Sequence, residues 1–224
     1  MTDIRILPHN RSSIAKRNNS HFLYKADRRP LALQDIISVG SAVRDIVRAD
    51  MRLMAAEIEL FSMGQFRARS NQALKASLGR LLKGLGLEAQ EHRLSFVFCD
   101  WAAPHEDSPS AGCAFVSTVL HTGPYPYWMS MFHSRETPAH EFELHTSTRI
   151  LRQGDTFVFD PTIPHMSAPV RPHQDQFLVL LQAELEIRTE EQVAQLIAQF
   201  PRAASDCDTA FIGADEETAR TVQA

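Results

Sequence analysis

At Leu94 the apolar period of this chain changes, and that change restricts the fold more than any other feature of the sequence. Upstream, apolar residues recur every three or four positions; from Leu94 to Leu185 they alternate or run continuously in short blocks divided by turn residues. Leu94, Phe96 and Phe98 oppose Ser95, Val97 and Cys99, which is the period of a strand. Cys113 to His121 is a second strand, rich in β-branched residues, and Thr122-Gly123-Pro124 turns the chain after it. Shorter strands are predicted over Tyr127 to Phe132, Glu141 to His145 and Thr156 to Phe159, with Asp160-Pro161 stopping the last. Phe177 to Leu185 reads as a strand buried on both faces. About eight strands with turns between them fit two packed sheets or a barrel.

The upstream segment is helical in pattern. Ile36, Val39, Val43, Ile46 and Val47 share one stripe, which Leu53, Met54, Ile58 and Phe61 continue, with Gly64 as its end. Asn71 is the expected N-cap of a further helix whose apolar stripe is Leu74, Leu78, Leu81, Leu82 and Leu85, ended by Gly84 and Gly86. Thr189-Glu190-Glu191-Gln192 is a capping box before a helix through Phe200. The expected organisation is therefore a basic arm (1–28) and a single domain (29–202), followed by an acidic tail (203–224). Within the domain lie a helical part (31–87), a β core (94–185) and a C-terminal helix (189–200).

Charge and cysteine usage narrow the class. Seven Lys and Arg against two Asp in residues 1–30, and nine Asp and Glu against three Arg in residues 184–224, read as solvated ends. A net charge of −4 does not suit a nucleic-acid-binding surface. Three cysteines suggest no disulfide framework, and no stretch approaches a signal peptide or a membrane span. A cytoplasmic protein without membrane or nucleic-acid partners is expected.

Chemistry concentrates in two segments of the β region, SFVFCDWAAPHED and ILRQGDTFVFDPTIPHMSAPV. His105 and Asp107 are two apart, so on extended chain both leave the same face. His165 comes 58 residues after Asp107, far enough for a sheet to return and bring it alongside. Two imidazoles and one carboxylate on one side of an ion leave the other side open, which is the ligand set of non-haem Fe(II) sites. Glu106 points the opposite way and is left out.

His105-Glu106-Asp107, the Gly154-Asp155-Thr156-Phe157-Val158-Phe159 turn and strand, and Pro164-His165 resemble the 2-oxoglutarate/Fe(II)-dependent dioxygenases, especially the prolyl- and aspartyl-hydroxylase-like branches. The resemblance implies a mainly β fold with flanking α: a double-stranded β-helix (jelly roll) with N-terminal helices packed against it. It also implies Fe(II) and 2-oxoglutarate as cofactors, and oxidative decarboxylation of 2-oxoglutarate coupled to oxidation of a small molecule or a protein side chain, most simply hydroxylation.

The family usually places an Arg or Lys about ten residues past the distal His, where this chain has Asp175 and Gln176. Arg171 is the first candidate for pairing with the cosubstrate carboxylate and Arg149 the second, because arginine makes a planar two-point pair. Tyr127 and Trp128, beside a Pro-Gly turn, are candidates for lining a substrate mouth. Two other readings stay open at this stage: a jelly-roll binding or regulatory module without turnover, and a cupin-type metalloenzyme that does not use 2-oxoglutarate. His140 to His145 lacks the cupin HxH spacing, whereas Gly154 to His165 loosely resembles the second cupin motif.

Overall fold

The computed structural model describes residues 23–25, 31–49, 59–107, 113–136, 142–186 and 207–212. Two antiparallel sheets face each other, and helices cover the outer face of the larger one. The elements are β1 (Leu23–Lys25), α1 (Leu33–Ala49), β2 (Glu59–Ser62), α2 (Met63–Arg69), α3 (Gln72–Leu85), a 3-10 turn (Glu88–Arg93), β3 (Leu94–Cys99), β4 (Ala102–His105), β5 (Cys113–His121), β6 (Tyr127–Glu136), β7 (Phe142–Leu151), β8 (Thr156–Phe159), β9 (His165–Pro169), β10 (Leu178–Glu186) and β11 (Cys207–Ile212). The larger sheet has the order β1-β8-β5-β10-β3-β2 and the smaller β11-β7-β6-β9-β4. From β3 to β10 every connection except β6–β7 crosses from one sheet to the other, the winding of a jelly roll.

The larger sheet separates two cores, which is why its strands are so apolar. On its helical side, Phe96, Phe98, Val116, Val158, Val179 and Leu181 pack with Val39, Val43, Leu78 and Leu82. On its inner side, Val97, Phe115, Phe157, Phe159, Leu178 and Leu180 meet Tyr127, Met129, Met131 and Leu151 of the smaller sheet. A strand buried on both faces has no polar face to alternate with, so β3 and β10 read as near-continuous apolar runs.

Local chemistry fixes the helices. Asn71 accepts a hydrogen bond from Leu74 N at 2.9 Å, and Gly86 closes α3 in the left-handed region at φ 70°. Buried Asp35 of α1 takes a two-point pair from Arg80 of α3, at 2.9 Å and 2.6 Å, so the two helices are tied by charge as well as by packing. The Arg80 hydrogen bonds hold the Asp35 carboxyl below its ordinary range. At Gly40 the helix backbone lies directly on β5: an added Cβ would meet the Leu120 carbonyl carbon at 2.8 Å.

Several expectations need correction. The helical stripe does not run on through Phe61: Glu59–Ser62 is an edge strand beside β3, and Gly64 lies inside α2, which opens at Ser62 in a capping box with Gln65. A four-residue strand shows too few positions for its period to be told from a helical stripe. Gly84 is within α3, and Gly86 alone ends it. The second half of β7 and the strands β4 and β9 are additions to the expected set. β1, inside the expected arm, pairs with β8, and β11, inside the expected tail, pairs with β7. The expected helix at 189–200 lies outside the described residues. Among the described residues no helix is long and apolar enough to cross a membrane.

Candidate metal centre

The turn before β9 shows how this sequence delivers a histidine to a chosen point. Asp160 Oδ1 accepts from Thr162 N at 2.9 Å and from Thr162 Oγ1 at 2.6 Å, and Ile163 N donates to the Asp160 carbonyl at 3.2 Å. That aspartate-led turn, with Pro161 and Pro164 restricting the backbone, ends at His165. Across the ladder, β4 pairs with β9 so that His105 is the register partner of His165. Asp107 follows β4, and its backbone N donates to the Pro161 carbonyl at 3.0 Å, which draws the carboxylate in beside the two rings.

The three candidate ligands converge. Donor atoms of His105, Asp107 and His165 all lie within 4.8 Å of one another. His105 Nε2 is 3.7 Å from Asp107 Oδ1, and His165 Nε2 is 3.4 Å from Asp107 Oδ2. Each imidazole is oriented identically from behind: His105 Nδ1 is 2.7 Å from the Ala103 carbonyl and His165 Nδ1 is 2.8 Å from the Ile163 carbonyl. A carbonyl only accepts, so both Nδ1 atoms carry a proton, and both Nε2 atoms face the shared space. Phe159 packs edge-on against His165 at 5.0 Å, and the ring of His165 is buried. Glu106 is exposed, as its alternation with the ligands requires.

Below the triad a cavity of about 80 Å³ runs between the sheets. Its walls are largely apolar, with Val97, Met129, Leu151, Phe157, Leu178 and Leu180, and its polar positions beyond the triad include Cys99, Ser167 and Gln182. Burial pushes the Cys99 thiol up to about 12, so it sits in this wall as a neutral group. Leu60 of β2, 62% exposed, stands among the lining residues too. Ser167, two residues past His165 on one strand, had a readable same-face signal; Leu60 and Gln182 had none.

The two candidate cations have different fates. Arg171 lies beyond the far end of β9 from His165, exposed, with its guanidinium 5.9 Å from the centre of the Tyr125 ring. The Pro169 to Pro172 segment therefore does not bend inward over the triad. The reason is visible next to it: Gln176, buried, donates to the Thr122 carbonyl and to the Tyr125 carbonyl at 2.7 Å and accepts from Tyr125 N at 3.2 Å. Gln176 thus clamps the β5–β6 turn, and Arg171 is left outside it on Tyr125. Arg149 is 1% exposed and shares the inward face of β7 with Leu151. Its Nη1 donates to the Thr148 carbonyl at 2.8 Å.

Tyr127 is not at a mouth. It is fully buried between the sheets, and its hydroxyl donates to the Asp100 carbonyl at 2.7 Å, which satisfies the one polar atom of the ring. Trp128, one residue on, takes the opposite face of β6 and is half-buried there.

No family model matches the chain, and no curated protein does. Among solved structures, it is similar to SnoK, a non-heme alpha-ketoglutarate dependent carbocyclase from nogalamycin biosynthesis, at 12% identity and a TM-score of 0.45 over 90% of this chain and 96% of that one. It is similar to the epimerase SnoN of the same biosynthesis at 14% identity and a TM-score of 0.42, over 79% and 82% of the two chains. A Pseudomonas putida prolyl-4-hydroxylase is similar at 12% identity and a TM-score of 0.39, over 78% and 97%. Likeness at this level leaves those activities with those proteins.

Proposed function

We propose that this chain is an iron(II)-dependent oxygenase that takes 2-oxoglutarate as its cosubstrate, with hydroxylation of a C–H bond as the simplest outcome. The observation that carries the reading is the convergence of His105 Nε2, His165 Nε2 and the Asp107 carboxylate, each imidazole held in one tautomer by a backbone carbonyl. Neutral imidazoles plus one carboxylate are a donor set that Fe(II) accepts without being saturated. Bound there, iron(II) would let dioxygen act as the oxidant, with 2-oxoglutarate giving up two electrons on its way to succinate and carbon dioxide, a chemistry that no side chain supplies.

The chain's own residues do the rest. His105, Asp107 and His165 hold the ion from one side and leave the cavity side free. The carbonyls of Ala103 and Ile163 keep the rings from turning. The apolar walls exclude water from the reacting space. Arg149, facing inward one step below the triad, is the cation assigned to the far carboxylate of the cosubstrate. In the β9–β6–β7 register His165 aligns with Met131 and Ser147, and Ser167 aligns with Met129 and Arg149. One such step is about 7 Å, the scale of a short dicarboxylate.

The test is direct. Protein loaded with iron(II) should bind 2-oxoglutarate in calorimetry and, once dioxygen is admitted, convert it slowly to succinate and carbon dioxide even without substrate. A second reading, a cupin-type metal site or a non-catalytic module, is favoured by Arg171 facing solvent. Tight metal binding with no affinity for 2-oxoglutarate would select it.

A further inference from the structure

The layer beneath the triad carries polar residues on both sheets, Ser117 and Gln182 on the larger and Ser167 on the smaller, among apolar neighbours. On the larger sheet Phe159, which touches His165, aligns with Phe115 and Glu184; one step deeper Phe157 aligns with Ser117, and Ser117 with Gln182 and Ser95. Ser117, with no exposed surface, donates its hydroxyl to Gln182 Oε1 at 2.9 Å. That bond fixes the amide orientation: the oxygen is held by the wall, and the two N–H bonds of Nε2 are left for the cavity, which Gln182 lines. Ser167 lines the same cavity from the opposing sheet. Gln182 is half-buried, so this donor is open to an acceptor that enters the cavity.

We infer that Gln182 is a ligand-binding residue of this centre: its Nε2 donates to the second acceptor oxygen of a short oxo acid whose other end lies at the metal. This rests on the metal-centre reading above and adds a residue to it. Ser117 is a positioning residue, acting through Gln182. The site therefore favours an oxo acid with a distal carboxylate over one without, because only the former has an oxygen about one strand step from the metal.

Calorimetric titration of 2-oxoglutarate and of pyruvate into manganese-loaded, oxygen-free protein separates the possibilities. Gln182→Leu should weaken 2-oxoglutarate by about tenfold or more, the loss of one hydrogen bond to a charged group. It should leave pyruvate and manganese affinity within about twofold of wild type, a spread too small for a hydrogen-bond loss. Gln182→Glu should abolish 2-oxoglutarate binding by setting carboxylate against carboxylate, and Ser117→Ala should give a smaller loss of the same kind. Thermal unfolding of each variant reports whether it folds; if Gln182→Leu does not, Ser117→Ala and Gln182→Glu carry the test. Wild-type protein that binds manganese but no 2-oxoglutarate overturns the functional reading and this assignment together. Wild-type binding that survives unchanged in Gln182→Leu, or an equal loss for pyruvate, overturns the Gln182 assignment alone.

Discussion

His105 and His165 face each other across one rung of the β4–β9 ladder, with ring centres 4.4 Å apart and planes inclined by 53°. Two imidazoles this close, both protonated at Nδ1 toward backbone carbonyls, turn their Nε2 atoms to one point. Asp107 supplies the charge that makes the point attractive to a cation.

From this, His105→Ala and His165→Ala should each lose most bound iron while remaining folded, and Asp107→Ala should do the same. Metal content after dialysis, with circular dichroism as the folding control, measures it. Retention of a full equivalent by both histidine variants would remove the metal centre.

Arg149 and Arg171 are predicted to separate cleanly. Arg149→Ala should reduce 2-oxoglutarate affinity by about tenfold or more, through the loss of a charge-assisted pair. Arg171→Ala should leave it unchanged. The exposed Arg171 contact on Tyr125 contributes about 0.5–1 kcal/mol to stability at most. Parallel calorimetry on the two variants decides; a loss confined to Arg171→Ala would mean that its segment folds over the triad after all.

Gln176 occupies the neighbourhood where the family resemblance led to an expected cation, and its role here is mechanical. Gln176→Leu should lower stability by about 2 kcal/mol or more, because two carbonyls and one N–H of the 122–125 turn lose their partner. Urea unfolding gives the number. Gly123, at φ 74° with the Asp175 carbonyl packed against it, belongs to the same clamp.

Gly40 should not tolerate a methyl group. Gly40→Ala forces α1 off β5 at Leu120, and the expected cost is about 1–3 kcal/mol despite the better helix propensity of alanine. A midpoint at or above wild type in thermal unfolding would contradict this packing.

His121, at the end of β5, gives a pH dependence. Burial, with Arg44 and Arg48 of α1 nearby, lowers its imidazole from 6.5 to about 4, while Asp45 acts in the opposite sense. Between those values the unfolded chain binds the extra proton, so acidification favours unfolding. Stability of metal-free protein should therefore fall as pH drops from 6.5 toward 4, by at most about 1.4 kcal/mol per pH unit from this group. His121→Gln should flatten that part of the profile. Equal slopes for both proteins would show that His121 stays accessible to protons when folded.

Local patterns in the sequence determined a good deal: the period change at Leu94, the Asn71 cap, the Gly86 stop, the strands from Leu94, Cys113 and Thr156, and the same-face placement of His105 and Asp107. These depend on neighbours within a few residues, where backbone geometry alone sets direction. The distance along the chain also offered His165 as a third ligand, and the resemblance added an arginine for the cosubstrate. Tertiary structure decided what requires register across distant strands. It brought His165 opposite His105, turned Arg149 inward and left Arg171 in solvent, and put Tyr127 in the core. It also made Leu60 part of an edge strand and aligned Ser117 with Gln182. A one-residue shift in any of those pairings would send each side chain to the other face, and pairing between segments tens of residues apart is set by the packing of two cores against one sheet, which no local pattern encodes.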